Sequence, residues 1–245
     1  MSVRKIIKKG AYFFLQNLLP KALYTHVPQG LDLCLDLKKL DQAYHPKVIF
    51  DVGANSGQTA LKLNSWFPNA QIHSFEPVSA TYKKLLANTK GIKNIEAHAF
   101  ALAGEAGTAK IFVLTDDTMS SLQFHESDKD MIEREETITL STIDLTVEKL
   151  GINSIDLLKI DTEGYDLEVL KGASKSLQAG RIKFLQVEAG MNPLNDRHVP
   201  LEAFMEFLKP YGFMPFGLYD QRLEWSGKKR LRFVNPVYVS AQISA

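Results

Sequence analysis

The sequence predicts a doubly wound α/β domain: a mostly parallel, seven-stranded sheet with helices on both faces and an antiparallel edge. Three observations carry this expectation. From Lys47 onward, short apolar runs alternate with segments of helical period, the pattern of strand–helix–strand units whose parallel strands are buried on both sides. Two strands close the chain with no helix between them, as an antiparallel edge pair requires. A chain of 245 residues, 45% hydrophobic and 23% charged, has material for one full core rather than two.

The elements follow in order. "GLDLCLDL" (30–37) alternates strictly and reads as a short strand ahead of the domain. "KVIFDV" (47–52) is a buried strand, followed by a helix from about Ser56 to Trp66 that Pro68 stops. "AQIHSFE" (70–76) is the second strand; Pro77 closes it and Ser79 caps a helix to about Asn88. "NIEAHAF" (94–100) is the third. "TAKIFVL" (108–114) and "TITLSTI" (137–143) form a hairpin insertion around the polar segment 115–134. "SIDLLKID" (154–161) is a fourth buried strand, 166–177 a helix, "IKFLQVEA" (182–189) the fifth strand and 201–209 a helix. "FMPFGLY" (213–219) and "RFVNPVYVS" (232–240) are the closing pair. Residues 1–40 form an extension of helix and short strand, and 41–245 the ligand-binding domain.

Composition narrows the partners. A net charge of +1 gives no global attraction to nucleic acid. Cys34 is the sole cysteine, which precludes an internal disulfide and fits a reducing, cytoplasmic setting. The six histidines show no pair at helical metal-ligand spacing, which argues against zinc, and lone His125 and His198 are expected at the surface. No apolar run reaches the roughly 18 residues of a membrane span. In the N-terminus, Ile7, Ala11, Phe14 and Leu18 recur at helical spacing behind basic residues. That helix either packs on the domain or a homodimer partner, or lies on a membrane surface.

In open α/β sheets ligands sit beyond the carboxyl ends of the strands, and four ends here carry notable residues. The first ends Asp51-x-Gly53-Ala54-Asn55-x-Gly57, the second Glu76-Pro77, the fourth Asp161-Thr162-Glu163-Gly164 and the fifth Glu188. Glycines let a backbone turn approach a ligand closely. An acidic residue ending the second strand is where nucleotide-binding folds hold ribose hydroxyls. A dinucleotide site favours three glycines spaced G-x-G-x-x-G, and Asp51 would repel a pyrophosphate. The sulfonium and ammonium of S-adenosylmethionine instead suit an acidic mouth.

"DVGANSGQT" (51–59), "FEP" (75–77), "SSL" (120–122) and "IDLLKIDTEGYDLEVLKGA" (155–173), in this order, resemble the FkbM family of S-adenosylmethionine-dependent methyltransferases. The resemblance runs from about Val48 to Val239 and is most specific over 155–173. It implies a class I (Rossmann-like) methyltransferase that methylates oxygen, on hydroxyls of sugars, glycoconjugates or polyketide and peptide natural products. The cofactor-binding residues are then Asp51, Gly53, Ala54, Asn55, Gly57, Thr59, Glu76, Pro77, Ala101, Ser121 and Asp161, and the catalytic ones Asp161 and Glu163.

An aliphatic hydroxyl attacks a sulfonium methyl in line and gains from a positioned base. Asp161 and Glu163 are placed for that role; alternatively they cap helix 166–177, or the carboxylate cluster holds a divalent ion that acidifies the hydroxyl. Lys159, mid-strand, needs a partner such as Asp161 or Glu188, or contacts substrate. A nicotinamide-dependent oxidoreductase or a non-catalytic cofactor-binding module on the same sheet are the competing classes. Phe204, Phe207 and Trp225 are expected to pack.

Overall fold

The structure is a computed structural model that describes residues 28–40, 44–114, 122, 126–193, 195, 197–224, 227 and 229–242. The expected N-terminal helix and Ser121, His125 and Trp225 lie outside the described residues. In chain order the elements are α1 (Leu33–Leu40), β1 (Val48–Val52), α2 (Gln58–Trp66), β2 (Gln71–Phe75), α3 (Ser79–Thr89), β3 (Ile95–His98), β4 (Ala101–Leu102) and β5 (Gly107–Leu114). There follow β6 (Ile132–Ser141), α4 (Ile143–Lys149), β7 (Ile155–Ile160), α5 (Asp166–Lys171), α6 (Ser174–Gln178), β8 (Ile182–Gln186) and β9 (Ala189–Gly190). The chain closes with α7 (Leu201–Leu208), β10 (Phe213–Leu223) and β11 (Leu231–Ser240).

The main sheet has the order β10-β11-β8-β7-β1-β2-β3, with β9 pairing on β11. Strands β8, β7, β1, β2 and β3 are parallel. β11 runs against both neighbours, so the reversed strand lies one place in from the edge. The chain builds outward from β1 through β2 to β3, then returns to lay β7 on the other side of β1. The reversal leaves a crevice at the carboxyl ends of β1 and β7. A second sheet, β4-β6-β5, contains the expected hairpin.

Period-two alternation sends the strands' side chains to two apolar layers. Phe50, Phe75, Leu158 and Leu185 face α4, α5, α6 and α7. Ile49, Ile72, Leu157 and Phe184 face α1 and α2 on the other side. β7 is buried along its whole length, so its two polar residues must be satisfied inside the protein. Asp156, at the start of the strand, accepts the N–H groups of Lys47 and Val48 at 2.7 and 2.9 Å and the Lys183 ammonium at 2.6 Å. One carboxylate thereby ties the beginning of β1 to β7 and β8 and fixes their register.

Four local expectations change. "GLDLCLDL" contains a helix start, not a strand: Asp32 accepts the N–H groups of Cys34 and Leu35 at 2.9 and 3.2 Å, a side-chain N-cap. Leu33, Cys34 and Leu37 then share the face of α1 that packs into the core, so the packed body begins before residue 41. Ser79 starts α3 without capping it, because its N–H and hydroxyl both go to Glu136 on β6. The helix expected over 166–177 breaks into α5 and α6 at Gly172, where an added Cβ would stand 2.0 Å from the Ala103 carbonyl oxygen. The end of "TITLSTI" is the start of α4, with Thr142 accepting the Leu145 N–H at 3.1 Å. Phe204 is in the core and Phe207 packs against it, as expected.

Asp156→Ala leaves two backbone donors and an ammonium without their acceptor. It should destabilise the fold by about 2–4 kcal/mol, read from urea unfolding, with no change in the denaturant slope.

Candidate active site

The turn after β1 begins with a left-handed glycine. Gly53 has φ +73°, and a Cβ on it would lie 1.8 Å from the Asp161 carbonyl oxygen. Only a residue without a side chain lets the end of β1 touch the end of β7. The N–H groups of Gly53 and Ala54 are anchored on the Phe75 carbonyl at 3.1 and 3.0 Å, and the Asp161 N–H on Val52 at 3.1 Å. Three strand ends are thus sewn together through main chain alone.

Glu76 completes the turn. Its Oε2 accepts the Asn55 N–H at 3.0 Å and its Oε1 the Val78 N–H at 2.9 Å, and the residue is buried. It is not a solvated strand end: it holds Asn55 in its left-handed conformation (φ +48°).

Beside this turn lies a cleft of about 360 Å³. The sequence-assigned Gly53, Ala54, Asn55, Thr59, Glu76 and Pro77 line its β1–β2 side. Ala101, Asp161 and Glu163 line it as well, joined by Ile111 and Leu122 from the small-sheet insertion. Two assigned residues stand elsewhere. Asp51 is fully buried beneath the cleft, and Gly57 packs on α3, where an added Cβ would be 2.8 Å from Leu85. Gly57 is therefore a packing glycine.

Lys159 answers the pairing question. Its ammonium lies 3.1 Å from Asp161 Oδ2 and 3.5 Å from Asp51 Oδ1, with Glu188 not among these partners. Burial opposes its charge, but Asp161 and Asp51 outweigh burial and hold it more basic than an ordinary lysine. Neither Asp161 nor Glu163 caps the following helix: α5 has no side-chain cap, and Asp166 instead turns back to accept the Thr162 N–H and hydroxyl at 3.2 and 2.9 Å.

The acidic wall continues through Glu163 and Glu188. Burial, then the proximity of Glu188 and Asp161, pushes the Glu163 carboxyl up to about 8. Burial, then Asp161 and Asp166, pushes Glu188 up to about 9. Opposite them stands His198, expected at the surface but buried, with Nε2 at 2.9 Å from Glu188 Oε2 and its ring stacked on Phe233 at 4.9 Å. Burial lowers its pKa. A single histidine in a loop gave no sequence signal of this; the fold carries it to the wall.

An open α/β sheet with a glycine turn, an acid ending the second strand and an acidic fourth-strand end is built like a class I methyltransferase. The comparisons agree. The methyltransferase FkbM domain model matches residues 51–214, and the chain belongs to that family. It is 26% identical over 157 residues to the hexuronic acid methyltransferase AglP of Haloferax volcanii, covering 63% of this chain and 61% of that protein. The 2-O-methyltransferase NoeI of Sinorhizobium fredii is 22% identical over 176 residues, covering 67% of this chain and 72% of NoeI. The 31-O-demethyl-FK506 methyltransferase FkbM of Streptomyces tacrolimicus is 30% identical over 154 residues, with 51% and 58% covered. The chain thus spans less than two thirds of AglP and of this last relative. A crystal structure of methyltransferase FkbM from Methylobacillus flagellatus KT shares the fold, with a TM-score of 0.52 at 16% identity over 80% of this chain and 43% of that one.

Gly53→Ala must push β1 away from the Asp161 carbonyl and place alanine at a positive φ. It should cost at least about 2–4 kcal/mol in urea unfolding, whereas Gly91→Ala, also at positive φ but with open space around it, should cost about 1–2 kcal/mol.

Proposed function

We propose that this chain transfers the methyl group of S-adenosylmethionine to a hydroxyl of a sugar-like or polyketide-like acceptor. The observation that carries the reading is the division of one cleft between a main-chain turn clamped by Glu76 and a wall of carboxylates. That donor set fits the cofactor: backbone and a carboxylate for a nucleoside, acid for a sulfonium and an ammonium, and a volume within the usual range of small-molecule sites. Membership of a methyltransferase family favours this over a nicotinamide-dependent oxidoreductase or a module without catalysis.

Glu76, which lines the cleft, would accept the ribose hydroxyls on its carboxylate. Pro77, Val78, Ala101 and Ile111 offer apolar surface for the adenine ring. Asp161 and Glu163 face the other end. Bound there, the cofactor supplies a methyl group on a cationic sulfur, transferable to an oxygen by in-line displacement. Asp161, pinned by Lys159, accepts the acceptor's hydroxyl hydrogen and points its oxygen lone pair. The relatives are named for a hexuronic acid, a 2-O position and 31-O-demethyl-FK506. Hydroxyl compounds carrying at most one negative charge suit the cleft better than nucleic acid, whose many phosphates the acidic wall would repel. The cytoplasm is the compartment that supplies this cofactor and fits a lone cysteine.

Titration calorimetry should show S-adenosylmethionine binding and no binding of NAD. Glu76→Ala should weaken cofactor binding by about 1–3 kcal/mol; unchanged affinity would remove Glu76 from the site.

Asp161→Asn keeps the shape and removes the charge. Across a panel of glycosides and polyketide alcohols read by product mass, turnover should fall at least roughly tenfold while cofactor affinity holds, the signature of an interaction made mainly in the transition state. Near-normal turnover would sink the role given to Asp161.

A further inference from the structure

The wall brings Glu163, Glu188 and His198, three side chains of metal-ligating type, to one point. The amide of Asn195 is fixed: its Nδ2 donates to the Arg232 carbonyl at 3.0 Å, and its Oδ1 accepts the N–H groups of Arg197 and His198 at 3.2 and 3.4 Å. Oδ1 also lies 3.0 Å from His198 Nδ1, so that nitrogen must carry the ring's hydrogen. Neutral His198 then presents the bare lone pair of Nε2 toward Glu188 Oε2, 2.9 Å away. That oxygen is shielded from solvent, and among the described residues no donor hydrogen-bonds to it. A proton or a cation can bridge the pair.

Glu163 brings a third ligand atom. Its backbone is held in the left-handed region at φ +52°, and one oxygen each from Glu163 and Glu188 and a ring nitrogen of His198 all lie within 4.8 Å of one another. The local charge is unbalanced in the same sense. Among the described residues, Asp51, Asp161, Glu163, Asp166 and Glu188 share this end of the sheet with Lys159, Arg197 and Arg232.

We propose that Glu163, Glu188 and His198 bind a divalent transition-metal cation of the Mn²⁺ or Zn²⁺ class at the acceptor end of the cleft. One imidazole with two carboxylates suits these ions. Mg²⁺ and Ca²⁺ take oxygen ligands and gain little from the imidazole. The Asn195–His198 hydrogen bond is the support that metal-bound histidines use, fixing tautomer and ring direction. Coordination bonds of about 2.0–2.2 Å require only a small contraction of the cluster. Its role rests on the methyl-transfer reading: the ion would hold the acceptor oxygen and favour loss of its proton to solvent, while Asp161 orients it.

The test uses the full-length protein freed of metal with a chelator and titrated with Mn²⁺ alone, free ion being read by electron paramagnetic resonance. One Mn²⁺ per chain should bind, Zn²⁺ should displace it, and Mg²⁺ should compete poorly. Glu188→Gln and His198→Gln, checked for intact folding by thermal unfolding, should each weaken Mn²⁺ binding at least roughly tenfold. Asn195→Ala, which touches no proposed ligand atom, should weaken it by about 10–100-fold. No bound Mn²⁺ or Zn²⁺ in the wild type, or binding that survives all three substitutions, overturns the proposal. Cofactor calorimetry on the same metal-free sample keeps the two readings apart. Cofactor binding without metal binding overturns this inference alone; metal binding without cofactor affinity overturns the cofactor reading alone.

Discussion

One buried ammonium group organises the site. Lys159 sits one residue from the end of β7, opposite Asp51 in the register of β1, and bridges Asp51 to Asp161. Taking Lys159 and Asp51 out of water costs several kcal/mol per ion, which attraction within the group offsets only when the geometry is held; Asp161 stays partly exposed. The sheet holds it here, because β1 and β7 are hydrogen-bonded neighbours and Gly53 lets their ends touch. Without the ammonium, Asp51 would be a fully buried carboxylate with no cation beside it among the described residues. The triad therefore specifies more than it stabilises: it fixes which residue of β7 lies beside β1, and it orients Asp161 at the mouth of the cleft.

From that point the electrostatics of the cleft are consequences. Lys159 is paired with Asp51 and Asp161 and only partly offsets the crowding at Glu188. Glu163 and Glu188 are left to crowd each other with Arg197, Arg232 and a neutral imidazole nearby, and their ionisation is pushed up to about 8 and about 9. Such a wall disfavours anionic ligands and favours positive ones. A sulfonium group and a dication are both of that kind, and the two needs fall at one end of the cleft.

Much of this was legible in the sequence because it is local. The buried strands appear as uninterrupted apolar runs, and the glycine turn and Glu76 follow directly from where those runs stop. Lys159 announced itself as a charge inside such a run. What was misread is what two periods share. In "GLDLCLDL" the leucines alternate, but Leu33, Cys34 and Leu37 also fit one helix face, and the deciding signal was Asp32 as a cap. Gly57 sits in the ligand motif yet serves packing against Leu85, a distinction that spacing does not contain. His198 was invisible for a stronger reason. Its partner Glu188 is on the wall only because β8 pairs with β7, and its support Asn195 is set by the main chain of β11.

That contrast divides the cleft by the way it is made. The β1–β2 side is main chain, glycine geometry and one clamping carboxylate, all encoded within Asp51–Pro77. Such a surface changes little when side chains change, so it suits a ligand common to a whole family. The opposite side is assembled from side chains on β7, on the segment after β8 and on the insertion carrying Ile111 and Leu122. Its parts come from separate stretches of chain, each tied to the sheet at one end and free to differ at the other. A family whose members are named for a hexuronic acid, a 2-O position and 31-O-demethyl-FK506 needs that arrangement: a fixed half for the methyl donor and a half that can be rebuilt around each acceptor. In this chain Glu188, Asn195 and His198 stand on that side, and under the proposed reading what they hold would set which hydroxyl meets the donor.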